Sequence, residues 1–254
     1  MMRGGSGPKR SRNLRRRLGN VELGHDCTEE PMEVVGVDAF KGKWVAAVLR
    51  QGRFAGVTSG PLAVILAAHP AAMAIAVDIP IGVPASGSRE ADIASRSFVG
   101  PKRASSVFPT PPRWALDCLS YEEVRAEAKK RNEKGVTAQA FALKDLILEA
   151  EAVAAHDSRV FEIHPEVSFA AMANNGLRFG KKCWGGFHER RGLLEQQGIH
   201  IPMSLGPGDE VGLDDVLDAF AAAWSANRKA LGAAQSLPPN PPVDGSGREI
   251  AIWY

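Results

Sequence analysis

Asp38 closes the apolar run Val34-Val35-Gly36-Val37, and Asp78 closes Ala74-Ile75-Ala76-Val77 in the same way. A short continuous apolar run bounded by turn residues reads as a buried strand. A carboxylate at its end then projects into a crevice at the sheet edge, although a solvated strand-end Asp is the plain alternative. Two such carboxylates on adjacent strands repel unless a cation lies between them. Oxygen donors suit a hard ion, Mg²⁺ or Mn²⁺, which also accepts substrate phosphates as ligands.

A third acidic group, Asp214, Asp215 and Asp218, opens the late segment Leu-Asp-Asp-Val-Leu-Asp-Ala-Phe-Ala-Ala-Ala-Trp. Leu213, Leu217, Phe220 and Trp224 recur at helical spacing, which leaves Asp215 and Asp218 together on the other side near the first turn. Acids there also serve ordinary dipole and capping roles. Glu162 and His164 alternate onto one face of the run Val160-Phe161-Glu162-Ile163. They either supply a further ligand and a proton-transfer group or form a buried pair that holds the loop, and the second reading is preferred. Lys102-Arg103 and Lys181-Lys182 are the cationic counterparts, able to meet phosphates, with Trp184 placed to stack on a base; solvated surface lysines are the alternative. His25, His69, His156, His188 and His200 have no ligand spacing, and neither Gly-x-Gly-x-x-Gly nor a P-loop is present.

The elements that must hold these residues follow from the pattern. Residues 33–38, 44–49 and 53–58 are β-rich, and Gln51-Gly52 is a tight-turn pair, so the three predict an antiparallel meander. A helix at about 60–68 precedes the strand 74–78. Residues 79–118 are dense in Pro, Gly and Ser and predict a long loop region with one short helix near 88–97. Ser120-Tyr121-Glu122-Glu123 reads as a capping box opening a helix to about 133, and a second helical stretch covers about 137–155. A strand at 160–163, helices near 166–174, 186–197 and 213–231, and a final edge strand at 250–253 complete the chain. The expected class is α/β: a mixed five-stranded sheet, three strands antiparallel plus parallel ones, flanked by helices, with a Pro-rich and helical insertion at about 79–136.

The chain has 254 residues, 44% hydrophobic and 24% charged, with net charge +2, which are ordinary globular values and fit one domain over 32–254. Residues 1–31 hold seven basic and four acidic residues, leaving the remainder at about −1. They read as a disordered basic tail that either touches nucleic acid or precedes a true start at Met32. Cys27, Cys118 and Cys183 are too far apart for a zinc knuckle or disulfide framework, which fits a cytoplasmic setting. No apolar run suits a membrane span or a signal peptide.

Gly36-Val37-Asp38, Lys43-Trp44-Val45, Val77-Asp78-Ile79-Pro80-Ile81-Gly82, Ser105-Ser106-Val107-Phe108-Pro109, Glu162-Ile163-His164-Pro165-Glu166-Val167-Ser168-Phe169, Lys181-Lys182 and Asp215-Val216-Leu217-Asp218-Ala219 carry a specific resemblance. Together they resemble domain-of-unknown-function family 429, described as predicted nucleases of RNase H-like fold, close in plan to the RuvC resolvases. The resemblance spans nearly all of 33–254. It implies Asp38 as the first-strand metal ligand, Asp78 as the fourth-strand ligand, where resolvases more often carry Glu, and Asp218 with Asp215 as the helix acids.

The expectation is a metal-dependent nuclease that hydrolyses DNA or RNA with two Mg²⁺ or Mn²⁺ ions held by Asp38, Asp78 and Asp218, with Asp215 beside them. The alternative is a non-catalytic module of the same fold that binds metal or nucleotide, favoured by the near-neutral core. An ATP-binding relative of the actin and sugar-kinase group ranks last because its glycine-rich phosphate loops are missing. Nucleic acid is the expected partner, no membrane is, and the oligomeric state is left open, a dimer included.

Overall fold

The computed structural model describes Met1 and residues 32–254, so the reading of residues 1–31 as a basic tail lies outside the described part. Three strands open the domain: β1 (Glu33–Phe40), β2 (Lys43–Arg50) and β3 (Arg53–Gly60), each antiparallel to the next. Both connections are two-residue turns with positive φ at each position, Lys41-Gly42 and Gln51-Gly52. That geometry matches the twist of antiparallel strands and explains the register. After α1 (Leu62–Ala68), β4 (Ala74–Val77) runs parallel to β1, and much later β5 (Val160–Glu162) runs parallel to β4. The sheet order is β3-β2-β1-β4-β5, the mixed five-stranded sheet that the pattern predicts.

Residues alternate between its two faces, and both faces are covered, which is why β1, β2 and β4 are apolar without a break. Val35, Val37, Ile75 and Val77 pack beneath Leu62 and Ile65 of α1 and beneath Ile147 and Ala150 of a later helix, α6 (Lys144–Ala154). Val34, Ala74 and Ala76 face the long C-terminal helix, α9 (Leu213–Ala230). Between them lie α2 (Glu90–Phe98), α3 (Arg113–Asp117), α4 (Tyr121–Arg131), α5 (Ala138–Phe141), α6 (Lys144–Ala154), α7 (Pro165–Ala173), α8 (Trp184–Gln196) and α9 (Leu213–Ala230). The stretch predicted as one helix over 137–155 is two, α5 and α6, broken at Ala142-Leu143. At α4 the Ser120 hydroxyl accepts from the Glu123 backbone N–H at 3.2 Å, while Glu123 accepts from Leu119 rather than Ser120.

α9 lies against β1 with no side chain between them at Gly36. A Cβ there would fall 1.9 Å from the Ala223 backbone nitrogen and 2.3 Å from the Ala219 carbonyl oxygen. The small residues Ala219, Ala221, Ala222 and Ala223 make the approach possible from the helix side. α9 is buried nearly all round from Val216 to Ala226 because α7 and α8 cover its far side. Its predicted division into an apolar and a polar face is therefore corrected: Leu213 is exposed and Asp218 is buried.

The last apolar run is also corrected. It forms β7 (Ile252–Trp253), paired with β6 (Ser236–Leu237) in a separate ribbon, and meets the main sheet only through a bridge from Trp253 to Ile163. Among the described residues, no helix is long and apolar enough to cross a membrane.

Candidate metal centre

Parallel pairing between β1 and β4 stops at Val37 and Val77, while β1 continues against β2 to Phe40. Asp38 is thus inside β1 rather than at its end as predicted, at the point where one neighbouring strand has dropped away. Asp78 follows β4 directly, and its backbone N–H donates to the Val37 carbonyl at 2.8 Å. Alternation turns Asp38 and Asp78 to the face that carries α9. Asp218, one turn into that helix, comes down beside them. The carboxyl ends of parallel strands are where crevices form in open α/β sheets. Here the crevice is a cavity of about 310 Å³ lined by Asp38, Asp78, Asp218, Lys181, His164 and Glu166, among others.

Asp38 and Asp218 are 6% and 3% exposed. Asp78 keeps part of its surface in the cavity but is otherwise surrounded by protein. Burial, reinforced by the charges of Asp78 and Asp218, pushes the Asp38 carboxyl well above the usual range. Burial likewise pushes Asp78 and Asp218 up to about 6, although Lys181 opposes it at both. Asp38 Oδ1 accepts from the Ala39 backbone N–H at 2.8 Å, and Asp38 and Asp78 line the same cavity wall. The Lys181 ammonium donates to Asp218 Oδ2 at 2.7 Å and lies 3.8 Å from Asp214. Burial works against its charge, but Asp218, Asp38 and Asp78 outweigh that and raise its pKa.

Three buried carboxylates and one ammonium leave negative charge in a place poor in water, a deficit that a proton or a hard cation can fill. The all-oxygen donor set fits Mg²⁺ or Mn²⁺. Among the described residues, however, no three His, Cys, Asp or Glu groups already stand as a ready ligand set. Asp218 is engaged by Lys181, so an ion would have to compete with the ammonium and displace the protons that burial favours on Asp38 and Asp78.

The other predicted residues divide. Asp215 is half-buried at the first turn of α9 and does not line the cavity; burial and the neighbouring Asp214 raise its carboxyl. Glu162 and His164 do not form a pair or share a strand face, because β5 ends at Glu162 and His164 is the N-cap of α7. Glu162 turns to the opposite side of the sheet, where Arg89 Nη1 and Nη2 donate to it at 2.7 Å each and the Ile81 N–H at 2.6 Å. Arg89 also donates to Asp92 at 2.6 Å, and all three are buried. Glu162 borders the cavity, while its carboxylate is engaged by Arg89 rather than by His164.

His164 lines the cavity, accepts from the Glu166 N–H at Nδ1 (3.2 Å), and stands 3.3 Å from the Ser106 carbonyl through Nε2. Burial lowers its pKa, and both ring nitrogens are engaged, one by the Glu166 N–H and the other facing the Ser106 carbonyl. Arg103 is not a free cation: its Nε donates to Glu166 at 2.5 Å. Lys102 and Lys182 are exposed and lie outside the cavity wall, as does Trp184 at 78% exposure.

Sequence reasoning missed Glu166, Arg190 and Arg89. Buried Glu166 is held by Arg103 and by Arg190 at 2.8 Å; burial alone would raise its carboxyl, but the two guanidinium groups bring it below its ordinary value. At the start of a helix Glu166 has the position of an ordinary dipole acid, and nothing local to the short helix near 88–97 marks Arg89 as a partner for Glu162.

Fold and site together define an α/β domain with a mixed five-stranded sheet flanked by helices and a buried acidic cluster at the carboxyl ends of its parallel strands. The chain belongs to the family described as proteins of unknown function, DUF429, whose model matches residues 36–243. No curated protein and no solved structure matches it.

Proposed function

We propose that this protein is a metal-dependent phosphodiesterase acting on nucleic acid, with Asp38, Asp78 and Asp218 holding Mg²⁺ or Mn²⁺. One observation carries the reading: three aspartates from two strands and a helix, far apart in sequence, meet in one cavity whose lining cations are Lys181, paired with Asp218, and Arg103, paired with Glu166. Divalent ions bound there would activate the attacking water and stabilise the leaving oxygen, with two ions expected for an in-line displacement. The chain itself supplies the anionic ligands and excludes bulk water with Ile79, Pro80 and Phe108 along the wall. Lys181 swings between neutralising Asp218 and meeting a phosphate oxygen.

Cleavage of labelled single-stranded, duplex, hybrid and branched DNA and RNA with Mn²⁺ tests the reading. Activity on at least one substrate, abolished in Asp38→Asn, is expected; no cleavage of any, or cleavage unchanged in the variant, refutes it. A second reading, a non-catalytic metal- or nucleotide-binding module, is favoured by the existing Lys181–Asp218 pair. Calorimetric Mn²⁺ binding that is lost in Asp78→Ala, without cleavage of any substrate, would select it.

A further inference from the structure

A second cleft adjoins the acidic cavity. It measures about 940 Å³ and lies between the loop after α2, the loop after α7 and the C-terminal half of α9. Its cations are Lys102, Arg103, Arg178 and Arg228, and no Asp or Glu side chain lines it. In a described domain whose sequence is nearly neutral overall, that concentration of one sign is a strong local asymmetry. Glu189, an acid close by whose charge reaches Arg103, does not line the cleft and accepts from the Arg178 and Phe179 backbone N–H groups.

Arg103 lines both the cleft and the acidic cavity. Its Nε is held by Glu166, and among the described residues its two Nη groups make no hydrogen bond. The guanidinium is thus oriented with its terminal donors available, the state in which Arg binds a phosphate through two bonds. Lys102 and Arg178 are exposed on the same cleft. On the other side Phe98 and Tyr254 form a tilted ring pair with centroids 4.9 Å apart, Phe98 being 37% exposed. Cations together with aromatic rings are what an unpaired strand needs, phosphates on the first and unstacked bases on the second. A duplex hides its base faces from such rings.

We infer that this cleft binds a single-stranded nucleic acid segment and leads its backbone past Arg103 to the acidic cluster. The inference rests on the phosphodiesterase reading only for where the strand leads; binding in the cleft does not depend on cleavage.

The test is fluorescence anisotropy with a labelled 20-nucleotide oligothymidylate, an RNA strand of that length and a matched duplex, in EDTA and across a salt series. Wild type is expected to bind the single strands more tightly than the duplex. The charge-reversed pair Lys102→Glu with Arg178→Glu should weaken single-strand binding about tenfold or more and flatten the salt slope by roughly 1–1.5, the share of two phosphate contacts. Lys102→Arg with Arg178→Lys should retain binding, and an unchanged thermal melt and unchanged Mn²⁺ calorimetry guard against a folding defect.

Equal affinity of wild type and the reversed pair, preference for duplex, or binding of heparin without binding of any oligonucleotide would each overturn the inference. Asp38→Asn separates the two claims. Lost cleavage with retained binding supports both, whereas unchanged cleavage removes the phosphodiesterase assignment and leaves the cleft standing.

Discussion

Replacing Asp78 with Asn should stabilise the metal-free protein above about pH 6 and leave it unchanged near pH 4. The Asp78 carboxyl is raised from 3.8 to about 6 by burial. The folded state therefore binds this proton more tightly than the unfolded chain does. Its contribution is fully present below 3.8 and is lost as pH rises through about 6. A difference of roughly 2 units at about 1.4 kcal/mol each gives an upper limit near 3 kcal/mol. Asp78 retains some contact with the cavity, and Asp38 and Lys181 can readjust, so about 1–3 kcal/mol is expected at pH 8. For a domain of this size that corresponds to a melting temperature higher by roughly 2–4 °C per kcal/mol.

Urea melts of wild type and variant in EDTA at pH 4, 5, 6, 7 and 8 follow this site, because titrating residues away from it cancel in the difference, while relief of Asp38 and Asp218 from the Asp78 charge adds to the gap in the same direction. Mg²⁺ should then reverse the order: at a hundredfold excess over its dissociation constant it stabilises wild type by about 2.7 kcal/mol and the variant by far less. A variant destabilised at pH 8, or a gap that is the same at pH 4 and pH 8, would show that the aspartates do not crowd as described.

Three further outcomes follow from the packing. Arg89→Met leaves buried Glu162 and Asp92 without their cation and should cost about 3–5 kcal/mol in chemical denaturation. Gly36→Ala pushes a methyl into the α9 backbone; a loss of about 3 kcal/mol or more, with weakened Mn²⁺ binding because Asp218 moves with the helix, is expected by calorimetry. Ser120→Ala removes the cap of α4, far from the cavity, and should lower stability by about 0.5–2 kcal/mol with metal binding intact.

Asp38, Asp78 and Asp218 were legible because each interrupts a strongly patterned segment, and a carboxylate after a buried run has few packing explanations. The meander was legible from its turns. The break between α5 and α6 was not, since Ala142-Leu143 carries no Gly or Pro and tertiary packing decides it. Likewise the partners of Glu162 and Asp218 lie 73 and 37 residues away, and no local pattern encodes such pairings. Arg103 was recognised as a cation, but its engagement by Glu166 depends on how the Pro-rich insertion folds back over α7. Charge in a sequence shows that a group will seek a partner, not which one it finds.

The buried Arg89 cluster restricts how the Pro-rich insertion moves. The amides of Ile81 and Thr110 donate to the buried carboxylates of Glu162 and Asp92, and Arg89 joins both acids. Lifting the insertion as a flap would separate these charges inside a low-dielectric interior. Hydrogen exchange at Ile81 and Thr110 should therefore track global unfolding rather than local opening. Entry of a ligand would then be limited by diffusion into a preformed mouth, without a conformational gate.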